Sequence, residues 1–259
     1  MPIKKRTPRR EAPARREEIV QWLKEADGVT YEQIQRRFRV APMTSRRDIS
    51  ALDAEGRVIK TLRGAMRVPS EGFLTEGPLH LRLKENTSAK RAVARAALGL
   101  ISPGNTLHLD GGTTCIELAR AISQSQMPVT VVTNSVLISA CFCEGSSAKV
   151  IQIGGALNTQ NGCTTGAETE SVAKTYFIDA GFFTTRGYVP GEGTYESSEE
   201  TFRVKLAFAE RCSKIILLLD HTKFGKLALN LVLADSKITR IVTDRTIPKL
   251  SDPRLMVAK

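Results

Sequence analysis

Residues 44–56 read TSRRDISALDAEG. Two adjacent arginines, Arg46 and Arg47, stand in a short helical stretch that stops at Gly56. Neighbouring cations repel each other and add little to folding. The pair therefore belongs either to a solvated helix face or to a helix that lies against phosphate. The flanking sequence decides between the two.

Upstream, from Arg15, the residues Ile19, Trp22, Leu23 and Ala26 recur at helical spacing, and Asp27-Gly28 ends that helix. Thr30 and Gln33 fit a capping box, with Val29 and Ile34 placed as its hydrophobic staple. A second helix therefore starts near Thr30 and runs through Phe38. Pro42 suits the first turn of a third helix, Met43 to about Ala54. Ala41 gives that helix no side-chain cap, a loss of about 1 kcal/mol. Ile49 and Leu52 share the face that packs on Ile34 and Phe38, whereas Arg46 and Arg47 fall off it. Residues 57–68, RVIKTLRGAMRV, read as two short basic strands around Arg63-Gly64. Three helices and a basic hairpin make a winged helix-turn-helix, in which the third helix enters the major groove. The candidate DNA contacts are Thr30, Thr44, Ser45, Arg46, Arg47, Lys60, Arg63 and Arg67.

The charge agrees with this. The 259-residue chain carries a net +11, and residues 1–70 hold 17 Lys+Arg against 9 Asp+Glu. Most of the excess thus sits in about a quarter of the chain, as in a nucleic-acid-binding unit joined to a near-neutral one. No run reaches the ~18 apolar residues of a membrane span. No apolar stretch follows the basic N-terminus MPIKKRTPRREAPARR, so it does not read as a secretory signal. Five cysteines, an odd number, do not suggest a disulfide framework. A reduced, cytoplasmic protein is expected, with no membrane partner. Its expected organisation is a disordered basic arm (1–14), a winged helix-turn-helix domain (15–68), a linker with some extended structure (69–88) and an α/β domain (89–259).

In that last part, strands alternate with helices, which argues a parallel sheet covered on both faces. Polar residues gather at the C-terminal ends of the strands, where such sheets bind ligands. Asp110-Gly111-Gly112-Thr113-Thr114 offers glycine amides and hydroxyls at a helix start, an arrangement suited to an anion. Thr133-Asn134-Ser135, Gly154-Gly155 and Asp220-His221-Thr222-Lys223 end further strands, and Arg186 lies in a polar loop. Neither a Gly-Lys-Ser/Thr phosphate loop nor Gly-x-Gly-x-x-Gly occurs, so a nucleotide cofactor is disfavoured; no cofactor and no metal are expected. Cys141 and Cys143, two apart on a helix, point to different faces and read as packing residues. His108 reads as a satisfied core histidine, and His221 stands where a ligand would lie. Glu200 and Lys205 read as a solvated helix face, with the pocket mouth as the alternative.

The chain resembles the DeoR family of bacterial transcriptional regulators. The resemblance rests on Thr44-Ser45-Arg46-Arg47-Asp48-Ile49, Leu52-Asp53-Ala54-Glu55-Gly56 and Arg63-Gly64-Ala65, then on the four strand-end motifs through Phe224-Gly225. Ser45 stands where the family has an apolar residue, Ala41 where it has serine, and Arg63 where it has glycine. Phe182-Phe183-Thr184-Thr185-Arg186-Gly187 departs from the commoner family pattern. The resemblance implies a C-terminal Rossmann-like α/β sensor domain similar to ribose-5-phosphate isomerase and CoA transferases. It implies a non-enzymatic regulator, a repressor of carbohydrate metabolism genes, that binds a double-stranded operator as a homodimer or homotetramer. A phosphorylated sugar would be its effector, held by Asp110, Gly111, Gly112, Thr113, Thr114, Thr133, Asn134, Ser135, Gly154, Gly155, Arg186, Glu196, Asp220 and Lys223. The competing reading is an aldose-ketose phosphate isomerase with a basic appendage, using Glu196, Glu200 or Lys223; it leaves the winged helix without a purpose.

Overall fold

A computed structural model describes residues 12–26, 28–61, 64–67, 79–248 and 250–258. The chain divides into two compact units, Met1–Gly77 and Pro78–Lys259.

The first unit runs α1 (Ala12–Glu25), β1 (Gly28–Thr30), α2 (Tyr31–Phe38), α3 (Pro42–Ala54), β2 (Val58–Thr61) and β3 (Gly64–Arg67). Helix α1 already includes residues 12–14, expected as part of the arm; residues 1–11 lie outside the described residues. The capping box forms as read: the Gln33 amide donates to Thr30 Oγ1 at 3.1 Å and the Thr30 amide to Gln33 Oε1 at 2.7 Å. Helix α3 starts at Pro42 with no side-chain cap at Ala41. Residues 28–30, read only as a helix boundary, also form a strand that pairs antiparallel with β3, making the sheet β1-β3-β2. Gly64 permits this pairing, since a Cβ there would lie 1.9 Å from the Val29 carbonyl oxygen. Ile19, Leu23, Val29, Ile34, Ile49, Leu52, Val58 and Ala65 form the core. So small a core leaves a domain of this size marginal, and each additional tie between helices matters.

The second unit begins with α4 (Leu79–Lys84) and α5 (Thr87–Leu98). The stretch expected as linker therefore ends in a helix rather than extended chain; residues 68–78 lie outside the described residues. The unit continues with β4 (Thr106–Leu109), α6 (Thr113–Ser125), β5 (Thr130–Thr133), α7 (Val136–Ala140), β6 (Lys149–Gln152), β7 (Ala156–Asn158), β8 (Cys163–Thr165) and α8 (Ala167–Ala173). Then come β9 (Ala180–Phe183), β10 (Gly187–Val189), β11 (Gly193–Glu196), α9 (Glu199–Ala209), β12 (Ile215–Leu218), β13 (Asn230–Ala234), β14 (Arg240–Thr243) and β15 (Leu255–Val257). Among the described residues, seven strands form one sheet in the order β15-β14-β12-β9-β4-β5-β6. Every pairing in it is parallel.

Side chains alternate across this sheet. Leu107, Leu109 and Phe182 join the core under α5 and α6, while Phe183 and Leu217 join the core under α9. The polar loop expected around Arg186 is instead ordered as β10 and β11; β11 pairs with β10 and with β13 in a small antiparallel sheet. The sheet is closed at one edge by β15, which pairs parallel with β14.

Candidate functional site

In the first unit, Met43, Arg46, Arg47 and Ser50 are exposed and recur at helical spacing on α3. The Arg46 guanidinium sits 5.5 Å from the centre of the Tyr31 ring, which fixes its direction. Thr30 is exposed at the start of α2, and Thr44 is half-buried. Lys60 is exposed on β2, its Nζ donating to Ser50 Oγ at 3.1 Å. Arg63 and the Arg67 side chain lie outside the described residues.

Ser45 corrects the expected contact set. It is fully buried, donating to the Pro42 carbonyl at 2.9 Å and accepting from Gln35 Nε2 at 3.3 Å. The small hydroxyl is satisfied where an apolar side chain was expected, and it does not reach the exposed face. Asp48, beside the arginine pair, is buried as well. Arg15 donates to it from Nε at 2.6 Å and from a terminal nitrogen at 3.2 Å, and Arg16 adds a third bond at 3.1 Å. Asp48 therefore fixes α3 against α1.

In the second unit, the chain runs outward from β4 through β5 to β6, then returns to β9 on the other side of β4. The topological switch point thus lies between β4 and β9, where open α/β sheets bind ligands. Asp110 follows β4 there. Its Oδ2 accepts from the Thr184 amide at 3.0 Å and the Thr184 hydroxyl at 2.6 Å. The Lys205 ammonium lies 3.0 Å from the same oxygen, donates to the Thr184 carbonyl at 2.7 Å and binds the Glu196 carboxylate. Lys205 is 6% exposed, Asp110 and Glu196 5% each. The expectation of a solvated Lys205 is overturned: α9 turns it inward as the shared cation of two buried carboxylates, while Glu200 is exposed.

Burial would raise the Asp110 pKa, but Lys205 and the Thr184 bonds outweigh it and hold the group below its ordinary value. For Glu196 burial wins, with Asp110 adding to it against Lys205, and the pKa is raised. Burial opposes the Lys205 charge, yet the two carboxylates prevail and raise its pKa.

The two glycines after Asp110 are required by close approach. A Cβ on Gly112 would fall 1.8 Å from Thr184 Oγ1, and one on Gly111 2.1 Å from Cys163 Sγ. No side chain caps α6, so the amides at its start stay available beside Thr113. Arg186 follows β9, and Lys223 follows β12, whose end carries Asp220. Burial first, then Arg186, lowers the Lys223 pKa. Asp220 pulls the Lys223 pKa the other way.

Other strand-end residues shape the turns. Thr133 is fully buried, donating to the Leu109 carbonyl at 2.7 Å and accepting from the Ser135 amide at 3.1 Å. Ser135 caps α7, and Asn134 donates to the Thr164 carbonyl at 2.8 Å. Asp220 Oδ1 accepts from the Thr222 amide at 3.0 Å. Gly154 and Gly155 are exposed, with the Gly154 carbonyl accepting from Thr169 Oγ1 at 2.8 Å. His221 turns to Asp244, 2.9 Å from its Nδ1. His108 is only half satisfied: Nδ1 pairs with the Val132 carbonyl at 3.1 Å, and Nε2 is buried with no partner. Cys141 and Cys143 donate to the Leu137 and Ser139 carbonyls of their own turn. Among the described residues no helix is long and apolar enough to cross a membrane.

Comparison with known proteins matches residues 15–71 to the DeoR-like helix-turn-helix domain and residues 85–245 to the DeoR C terminal sensor domain. The chain belongs to the DeoR family of transcriptional regulators. It is 27% identical over 231 residues to the L-fucose operon activator of Escherichia coli K12, covering 89% of this chain and 94% of that one. It is 28% identical over 230 residues to the glycerol-3-phosphate regulon repressor of the same organism, covering 89% and 90%. Among solved structures, ribose 5-phosphate isomerase A of Methanocaldococcus jannaschii aligns with a TM-score of 0.41 at 14% identity, over 55% of this chain and 56% of that one. The DeoR-family relatives are regulators, and the isomerase reading of the chain is not favoured.

Proposed function

We propose that this DeoR-family regulator represses carbohydrate metabolism genes and is controlled by a phosphorylated sugar or related metabolite. The observation that carries the reading is the switch point between β4 and β9. There a buried carboxylate pair lies by the uncapped start of α6, with Arg186 following β9 and Lys223 following the neighbouring β12. The carboxylates suit sugar hydroxyls, and the amides and cations suit a phosphate. Asp110, Gly111, Gly112, Thr113, Arg186, Glu196 and Lys223 would face the ligand. Thr114, Thr133, Asn134, Ser135, Gly154, Gly155 and Asp220 would hold the surrounding turns. In the first unit, Arg46 and Arg47 on α3 would enter the major groove, with Thr30, Thr44, Lys60, Arg63 and Arg67 on the phosphate backbone. The protein would act in the cytoplasm as a homodimer or homotetramer on a pseudo-palindromic operator.

The test is fluorescence anisotropy with DNA from upstream of the protein's own gene, at fixed salt, repeated with a panel of phosphosugars. A competitor-resistant complex whose affinity one phosphosugar changes supports the reading. Equal binding to random DNA, indifferent to every sugar, would sink it.

A further inference from the structure

The effector site has a physical connection to α4, the first described element after β3 and residues 68–78. A helix leaves its last carbonyls without intrahelical donors. In α4 those carbonyls are taken by side chains of the next helix. Thr87 Oγ1 donates to the Lys84 carbonyl at 3.1 Å. Lys90 Nζ donates to the Glu85 carbonyl at 2.6 Å and also to the Arg82 carbonyl. Lys90 is 6% exposed, so its ammonium is buried against these oxygens. Two neutral carbonyls are weak compensation for a buried ammonium. Lys90 also lies on the helix that packs on β12 and β14, within electrostatic reach of Asp220 and Lys223. A buried cation held only by neutral carbonyls is the kind of group that a nearby anion can attract.

We propose that Lys90 is a ligand-operated latch: a phosphate seated at Lys223 draws the Lys90 ammonium off the Arg82 and Glu85 carbonyls and releases the end of α4. The inference rests on the effector reading of the strand-end site and names how that site is heard elsewhere. The ligand gains a charge-assisted contact only in the released state, which is the differential affinity that any switch requires. Residues 68–78 join α4 to the DNA-binding unit along the chain, so α4 is the described element of the second unit nearest that link in sequence. Lys90 acts here as a positioning residue for α4.

The test is hydrogen exchange of residues 79–85 in the full chain, with and without inorganic phosphate, glycerol 3-phosphate and ribose 5-phosphate. Binding of each probe is read separately by the shift in melting temperature. In the wild type, a probe that binds should speed exchange in α4 by about tenfold, within the usual range of coupling between sites. Lys90→Met should exchange fast with or without probe. Lys90→Gln keeps a donor for the carbonyls but carries no charge; its α4 should stay protected and the probe should no longer speed it. A probe that binds the wild type without moving α4, or moves α4 equally in Lys90→Gln, overturns the latch alone. If no probe raises the melting temperature, the effector reading falls and the latch falls with it.

Discussion

Arg15 on α1 and Asp48 on α3 form a buried ion pair through two hydrogen bonds, 2.6 and 3.2 Å, one residue from the arginine pair that faces outward. The pair sets the angle at which α3 presents Arg46 and Arg47. Removing Asp48 deletes its charge-assisted hydrogen bonds to α1, each worth about 1.5–3 kcal/mol. Asp48→Ala should therefore unfold the first unit at much lower urea. The single tryptophan, Trp22, packs against that core, so its fluorescence reports this transition and not that of the second unit. An unchanged midpoint would show that the pair contributes no net stability.

Arg46→Ala and Arg47→Ala should each weaken operator binding by about 1–3 kcal/mol while leaving the Trp22 transition in place. An arginine that contacts phosphate should also lower the slope of log affinity against log salt by about 1 when removed. Ser45→Ala should do the opposite, shifting stability through the lost Pro42 and Gln35 bonds and leaving the salt slope alone. Equal loss of DNA affinity in all three variants would mean that α3 is not the recognition helix.

These contrasts also mark what the sequence made legible. The capping box and the strand-helix alternation depend on residues within a few positions of each other, and both were readable. Ser45, Asp48, Ile49 and Leu52 share one helical face, so the burial of Ser45 had a signal in the spacing, and the apolar residue that the family has there agrees with it. Strand β1 did not, because three residues beginning with glycine carry no alternation; only the pairing with Gly64 creates it. The cluster at the switch point was half legible. Asp110 could be named from its place at a strand end and Glu196 only through the family resemblance, whereas Lys205 joins them through contacts between β4, β11 and α9 that no local spacing encodes.

Lys205→Met tests that cluster. It leaves Asp110 and Glu196 buried without their shared cation, and the second unit should lose about 3–5 kcal/mol. Glu196→Gln in the same chain removes one of the two repelling charges and should recover part of the loss. The double variant should thus be more stable than the sum of the two single changes predicts, by a coupling of about 0.5–3 kcal/mol. Strict additivity, measured by urea unfolding followed by circular dichroism, would mean that the two side chains do not interact.

His108 gives the second unit a defined acid sensitivity. Burial, against the smaller opposing pull of Asp110, lowers its pKa from 6.5 to about 4. Its ring stacks on Phe208 at 3.7 Å between centres. Between those two pH values the unfolded chain binds a proton at this position and the folded chain does not. Stability is therefore full above about pH 6.5 and falls as the pH drops toward 4, by roughly 3 kcal/mol from this group. His108→Gln keeps a donor for the Val132 carbonyl and cannot titrate. Its stability should vary less than that of the wild type between pH 7 and pH 4, by about that amount. Parallel curves for the two proteins, from calorimetry of the second-unit transition, would show that His108 is protonated in the fold as readily as in the unfolded chain.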